Sequence, residues 1–318
     1  MPITVPDRDD WFHDQHGFPQ PNWGAVNGWM RVFVPHEDRE DAWQQCTRHW
    51  LGRICHRLGH RYGTVESQNF HFVSDLSPAA RGKVLAMLES SRTRICRVLG
   101  ATAPSEANGK HVVLRFTLAD DYYAYISHFL RDGEFAGSAG MFLSDGYDHI
   151  AYVESWSADE ERRTLVHELA HNLFAHLPLP SWLNEALAMA FEADIAGTSA
   201  EPLSRELAAR HRAYWTPSTI QEFWAGRAFS DVEAQELSYS LSRVLLHLIY
   251  TEVRPQEGEF SRFVLRSDWG DAGSIAAKEH LDIPLENLVS AFHGPGDWAP
   301  RPHSWQHERA ADPPADRL

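Results

Sequence analysis

The sequence predicts an α+β fold in which strands come early and helices late. Three observations carry this. Short runs rich in β-branched and aromatic residues, such as Phe70-His71-Phe72-Val73-Ser74 and His111-Val112-Val113-Leu114-Arg115-Phe116, lie ahead of residue 155. From Ser157 almost to Phe292 the apolar residues recur at three- and four-residue steps, interrupted at Pro178/Pro180, Gly197, Pro217, Gly226 and Gly270. Apolar residues make up 43% of the 318, with 12 Trp and 16 Phe, which is ample for a sizeable core. Strands gathered ahead of helices is the α+β order.

Taken along the chain, the first ~22 residues are polar, contain Pro and Gly, and read as irregular. Trp29-Met30-Arg31-Val32-Phe33-Val34 reads as a strand. A helix follows over about 38 to 62, with Trp43, Cys46, Trp50, Ile54 and Leu58 on one face. After the strand at Phe70 to Ser74, Asp75 and Ser77 are cap candidates for a helix that reaches Leu99-Gly100, where glycine suits a C-terminal cap. His111 to Phe116 is a strand, and a short helix follows around Asp120 to Leu130. Between Gly133 and Ser155 the repeated glycines and the run His149-Ile150-Ala151-Tyr152-Val153 predict a turn-rich hairpin, with its last strand beside the functional cleft. The tail from Gly294 onward is rich in Pro and polar residues and reads as disordered. No internal repeat is apparent.

Charge and cysteine content exclude several classes of function. With 29 basic and 44 acidic residues the net charge is −15, the wrong sign for a nucleic-acid or anionic-membrane surface. Met1 to Asp10 has no apolar h-region, and no segment approaches ~18 uninterrupted apolar residues. Neither a cleaved export signal nor a membrane span is therefore expected, and the expected location is cytoplasmic. Cys46, Cys55 and Cys96 are an odd number at spacings that match no zinc-ribbon or redox motif, so buried reduced thiols are expected.

The chemistry concentrates in His167-Glu168-Leu169-Ala170-His171. Two imidazoles four residues apart on a helix can grip one metal ion, and the glutamate between them then faces its open side, the pattern of a hydrolytic zinc site. Such a pentad is not specific by itself, because core histidines bonded to backbone carbonyls give the same letters. Its surroundings add weight. Ser157-Ala158-Asp159-Glu160 has the capping-box form and an acidic first turn, so the helix starts near Ala158; it stops before Pro178. Leu165, Val166, Leu169, Ala170, Leu173 and Phe174 make it apolar on nearly all sides, so its polar trio requires internal partners.

Zinc in such a site takes a third protein ligand and leaves one position open. Pro180-Ser181-Trp182-Leu183-Asn184-Glu185-Ala186-Leu187-Ala188 follows a short Pro-bounded turn, with Ser181 placed to cap a second helix. Glu185, fourteen positions after His171, falls where an antiparallel return would bring its carboxylate toward the imidazoles. Glu192 and Asp194, two turns farther on, are the alternatives.

These two segments together resemble the gluzincin branch of the zincin metallopeptidases, and most closely the small peptidase MA-like proteins. In that branch HExxH is followed by a helix of the form P-x-W-L-x-E-G-x-A. The resemblance spans about residues 66 to 293, and its specificity lies almost wholly in His167 to Glu185. It implies a zincin-like domain over 66–293, behind an N-terminal extension over 1–65 that packs or restricts substrate, and ahead of the tail over 294–318. It also implies Glu185 as third zinc ligand, Glu168 as the base that takes a proton from water and passes it to the leaving nitrogen, and a peptide or protein substrate. Gluzincins usually supply a downstream Tyr or His to the oxyanion; Glu236-Leu237-Ser238-Tyr239-Ser240-Leu241 resembles that segment, which makes Tyr239 the candidate donor. His128, His149, Tyr152 and His247 are weaker candidates, and Arg243, one turn beyond Tyr239, could orient it.

Departures from the family pattern narrow the expectation. Ala186 stands where the family usually has glycine. Met189 stands where thermolysin-like enzymes carry a carboxylate that orients a zinc-bound histidine, so another group has to do that work. Gly140-Met141-Phe142 lies where zinc aminopeptidases carry G-x-M-E-N, and the glutamate is absent, which favours an endopeptidase over an exopeptidase. The metzincin pattern fails at Phe174 and Leu177. The rival expectation is a gluzincin-like scaffold that binds metal or a protein partner without catalysis; a module of that kind has no need of Glu168.

Overall fold

The computed structural model describes residues 4–99, 109–130, 138–197 and 203–305, and among these a five-stranded sheet and twelve α-helices form a mixed architecture that agrees with the α+β class. Two compact units partition the chain: Met1–Arg97, Ala101–Leu173 and Asp194–Gly197 form the first, and Val98–Gly100, Phe174–Ala193 and Thr198–Leu318 the second.

The first unit is built on the sheet, whose strands are β3 (Gly63–Glu66), β4 (Phe70–Ser74), β5 (His111–Phe116), β6 (Gly140–Ser144) and β7 (Asp148–Val153), in the order β3-β4-β5-β7-β6. The pairs β4/β5 and β5/β7 are parallel, whereas β3 and β6 run antiparallel at the two edges. Strands covered on both faces read as nearly continuous apolar runs, which is why β4, β5 and β7 stand out in the sequence. Val73, Val112, Leu114, Phe116 and Ala151 point to one face, where they join a core with Trp11, Phe18, Val26, Met30, Trp50 and Ile54. Phe70, Phe72, Val113, Ile150 and Tyr152 alternate to the other face and are equally buried.

The N-terminal residues differ from the expectation. Residues 12–21 are not irregular but a hairpin of β1 (Phe12–Gln15) and β2 (Phe18–Pro21), closed by His16 at φ 51° and Gly17 at φ 80°. Two consecutive left-handed residues make the turn whose twist matches a hairpin, and only the glycine adopts that conformation without steric cost. Trp29 to Val34 is not a strand; it lies in and just after the helix α1 (Trp23–Phe33), whose first turn is capped by the Asn22 side chain accepting from Ala25 N–H at 2.9 Å. Val26 and Met30, one turn apart, are the buried face of α1, while Val32 and Phe33 are exposed. A six-residue apolar run satisfies either period, so the cap decided the outcome.

The helices α2 (Arg39–Leu58), α3 (Pro78–Leu99) and α4 (Ala119–Ile126) lie where the periodicity placed them. Helix α2 stops at Gly59, whose φ of 103° suits a residue without Cβ, and β3 occupies the residues just beyond. Ser77 Oγ accepts from Ala80 N–H at the start of α3; the expected cap Gly100 lies outside the described residues. The α5 helix (Ala158–Phe174) closes this part of the chain.

The second unit is helical: α6 (Ser181–Ala196), α7 (Arg205–Tyr214), α8 (Thr219–Trp224), α9 (Gln235–Leu248), α10 (Glu257–Arg266), α11 (Ser274–Leu281) and α12 (Leu285–His293). Its tryptophans combine apolar bulk with a satisfied N–H. Trp182 donates to the Ala272 carbonyl and Trp224 to the Trp298 carbonyl, each at 2.9 Å. That second bond bears on the tail expected to be disordered from Gly294. As far as Trp305 the tail is ordered: Trp298 and Trp305 are buried, Gln221 donates to the Ala299 carbonyl, and Arg301 N–H donates to Gln221. Composition there is that of a coil, but two indoles and the Gln221 side chain hold it; residues 306–318 lie outside the described residues. No helix among the described residues is long and apolar enough to cross a membrane.

Four histidines are held neutral by the fold. Burial pushes His71, His111, His149 and His211 down to about 4 from an ordinary 6.5, assisted at His111 by Arg92 and at His211 by His293, and opposed at His71 by Glu66 and at His149 by its bond to the Tyr147 carbonyl. A folded pKa below the unfolded one means that unfolding takes up protons between the two values, so stability is complete above pH 6.5 and declines as pH falls toward 4. Glu66, drawn down to about 2 chiefly by its hydrogen bond from Arg48, is ionised in the unfolded chain above 4.5 and acts below that window. Urea midpoints measured at about pH 7, 6 and 5, across the histidine window, should therefore fall monotonically; a flat profile would contradict the burial of these imidazoles.

Candidate metal centre

Local sequence explains how α5 presents its polar trio. Ser157 Oγ accepts from Glu160 N–H at 3.1 Å, and Asp159, Glu160 and Glu161 line the first turn against the positive end of the helix dipole. The expected capping box is only half made, because the Glu160 carboxylate accepts from Ser155 Oγ instead of reaching back to Ser157. Leu165, Val166, Leu169, Ala170, Leu173 and Phe174 are buried, while His167, Glu168 and His171 are half-buried on the remaining stripe. Pro178 and Pro180 prevent continuation. The α6 helix then starts with the Pro180 carbonyl accepting from Leu183 and Asn184 N–H at 3.0 Å, so Ser181 is its first residue and not its cap. Trp182, Leu183, Ala186, Leu187 and Ala188 are buried around a half-buried Glu185.

The Nε2 atoms of His167 and His171 stand 3.0 Å apart. One ligand atom from each of His167, His171 and Glu185 falls within 4.8 Å of the other two, and among the described residues this is the group of His, Cys, Asp and Glu side chains arranged to hold a metal ion. A tetrahedral zinc with bonds of about 2.0 to 2.2 Å separates its ligand atoms by roughly 3.3 Å, close to the 3.0 Å between the two imidazole nitrogens, and two imidazoles with a carboxylate are donor types that zinc takes. Neither alternative third ligand belongs to the group. Asp194 is exposed and paired with Arg94 at 2.6 Å, and Glu192 is absent from the cluster. Ala186 is buried at 1% exposure, so its methyl is accommodated in the packed interior of α6.

Glu168 does not join the ligand cluster. Its Oε2 accepts from the backbone N–H of Phe142, on the edge strand β6, at 2.7 Å. Sequence reasoning had no means of finding this contact, since a backbone amide carries no side-chain signature. Tyr239 sits half-buried in the second turn of α9 with its ring 5.6 Å from that of Phe229. Of the weaker candidates, His149 is a core residue: Nδ1–H donates to the Tyr147 carbonyl at 2.9 Å, so Nε2 accepts from Tyr125 at 2.7 Å. Tyr152 is fully buried, His128 lies 3.8 Å from Asp145, and His247 is exposed.

A Ser–His pair, Ser240 and His211, also occurs, with Oγ 2.9 Å from Nε2. Trp215 Nε1 donates to Nδ1 of that imidazole at 2.9 Å, and indole nitrogen can only donate. Nδ1 is thus the acceptor and Nε2 carries the proton, which it gives to Ser240. This is the reverse of what a nucleophilic serine needs.

Arg115 secures the start of α5. Its guanidinium, 3% exposed on β5, bonds both oxygens of Glu161 at 3.0 and 3.1 Å, Asp75 at 3.1 Å and Glu154 at 2.9 Å. Burial alone would lower its pKa, but the hydrogen bonds and charge of Glu161 outweigh that and raise it. Three carboxylates from the loop after β4, the end of β7 and the first turn of α5 thereby share one cation.

Comparison with protein-family models, with curated proteins and with solved structures finds no match.

Removing the cation while keeping its volume would leave carboxylates unbalanced in a largely buried setting, a loss of about 3 to 5 kcal/mol when one partner of a buried pair is deleted. Arg115→Met should lower the unfolding free energy in guanidinium by that amount, whereas an exposed pair such as Arg227–Glu222 should yield under about 1 kcal/mol on the same treatment.

Proposed function

We propose that this chain is a zinc-dependent hydrolase of peptide bonds, an endopeptidase on a zincin-like fold that resembles the gluzincins. The observation that carries the reading is the convergence of His167, His171 and Glu185 to within 4.8 Å, from two consecutive helices, with Glu168 between the histidines but outside the cluster. A site that only stored metal would have no use for a second carboxylate held apart in this way.

His167, His171 and Glu185 would hold the zinc through two nitrogens and one oxygen, leaving a fourth position for water or substrate. Bound there, zinc supplies a Lewis acid that makes water a competent nucleophile near neutral pH and polarises the scissile carbonyl. Glu168 takes a proton from the attacking water and returns it to the leaving nitrogen, so a single carboxylate serves as base and then as acid. Tyr239 is the proposed hydrogen-bond donor to the oxyanion. The glutamate of the G-x-M-E-N pattern, which would anchor a free substrate amine, has no counterpart at Gly140-Met141-Phe142, which supports internal cleavage.

Elemental analysis should find a single zinc per chain in the wild type, and its loss in His171→Ala and Glu185→Ala. Glu168→Gln should keep the zinc yet hydrolyse casein or a peptide library at least about a hundredfold more slowly, the usual scale for removing a general base. Equal turnover by the wild type and Glu168→Gln would eliminate the proposed mechanism, and a metal-free wild type that cannot be loaded with zinc would eliminate the site.

A further inference from the structure

The open edge of β6 is not free. In an antiparallel pair, positions bonded to the neighbour alternate with positions facing away. Val153 N–H donates to the Ala139 carbonyl at 3.0 Å, so residues 139, 141 and 143 address β7, and the backbone groups of Gly140, Phe142 and Ser144 face outward. Two of these outward groups are taken up within the same unit. Ser138 Oγ, itself hydrogen-bonded with the fully buried Tyr122 hydroxyl at 3.3 Å, donates to the Gly140 carbonyl at 2.5 Å, and Phe142 N–H donates to Glu168.

Such a contact requires the strand to lie unusually close to α5. At Gly140 it does: a Cβ placed there would sit 2.3 Å from Thr164 Cγ2 and 3.4 Å from Glu168 Cγ. Contacts under about 3 Å between carbons are repulsive, so any larger residue has to push the strand or the helix away. Thr164 and Glu168 are one turn apart, so the same helical stripe that touches Gly140 carries the carboxylate that Phe142 captures.

We propose that Gly140 and the Phe142 amide are positioning residues for Glu168: the missing side chain at 140 lets β6 approach α5, and the amide two residues later fixes the carboxylate. A glutamate side chain tied at one oxygen loses the rotation about its last torsion, so its other oxygen is presented in one direction before substrate arrives. The proposal rests on the reading of Glu168 as a proton carrier, but its geometry is testable apart from catalysis.

Amide hydrogen exchange on protein labelled with ¹⁵N-phenylalanine reads the contact directly, since the Glu168 bond is what shields an outward-facing amide. Glu168→Ala should accelerate exchange at Phe142 by about tenfold or more. Gly140→Ala should do the same, and should lower kcat on peptide substrate by about ten- to a hundredfold with zinc content and KM little changed, the scale of a misplaced catalytic group. Thr164→Ala removes the methyl that a Cβ at 140 would strike. By itself it should be near neutral, and combined with Gly140→Ala it should restore both exchange protection and kcat. Unchanged exchange in Glu168→Ala, or a folded double variant no better than Gly140→Ala, overturns the proposal. Should Gly140→Ala fail to fold, the double variant and Glu168→Ala still decide it. A wild type that cleaves no peptide would defeat the hydrolase reading, while the exchange measurements would still decide the positioning.

Discussion

Burying a helix that carries two imidazoles and a carboxylate is unfavourable unless those groups find partners, and the contacts of α5 supply them. Its first turn is taken up by the Arg115 cluster, its middle by the edge amide of Phe142, and its histidines converge with Glu185. These contacts are not interchangeable. The ionic cluster fixes where the helix begins, because one guanidinium has to reach three carboxylates in a fork of fixed shape. Contact with β6 fixes which way its polar stripe points. Only with both settled do His167 and His171, one turn apart, present the same nitrogen to a common position.

The protein uses histidine in two physically distinct ways. His71, His149 and His211 are fully enclosed, each with a hydrogen-bond partner, and burial holds them neutral over the whole physiological range. His149 and His211 show how a partner sets the tautomer: a backbone carbonyl demands a donor at Nδ1 in the first, and an indole demands an acceptor there in the second. The pair on α5 is different. It is half-buried, its two Nε2 atoms stand 3.0 Å apart, and with Glu185 it forms the donor set to which the proposed function assigns a divalent cation.

Legibility in the sequence followed the strength of the local signal. Strands β4, β5 and β7 were readable because burial on both faces leaves little room for polar residues, and α2, α3 and α5 because each spans several turns of the helical period. Trp29 to Val34 misled because its apolar letters suit a strand, whereas the Asn22 cap and the Val26–Met30 pair commit the segment to a helix. The β1–β2 hairpin turns on His16-Gly17, a weaker signal than Asn-Gly, in a stretch otherwise polar enough to read as coil. The segment from Gly294 to Trp305 looked disordered since its order depends on partners 74 to 84 residues earlier, Gln221 and Trp224, and no local rule reports a partner that distant.

By itself the sequence determined the α+β class, the helix bearing His167, Glu168 and His171, and the list of carboxylates from which a third ligand could come, because each of these depends on residue type and spacing along one segment. Tertiary structure alone decided that Glu185 and not Asp194 approaches the imidazoles, that the carboxylate of Glu168 is held by a backbone amide, and that a glycine on a neighbouring strand makes room for it. Those outcomes depend on distances between segments remote in the chain, which are set by how helices and strands pack and which no periodicity encodes.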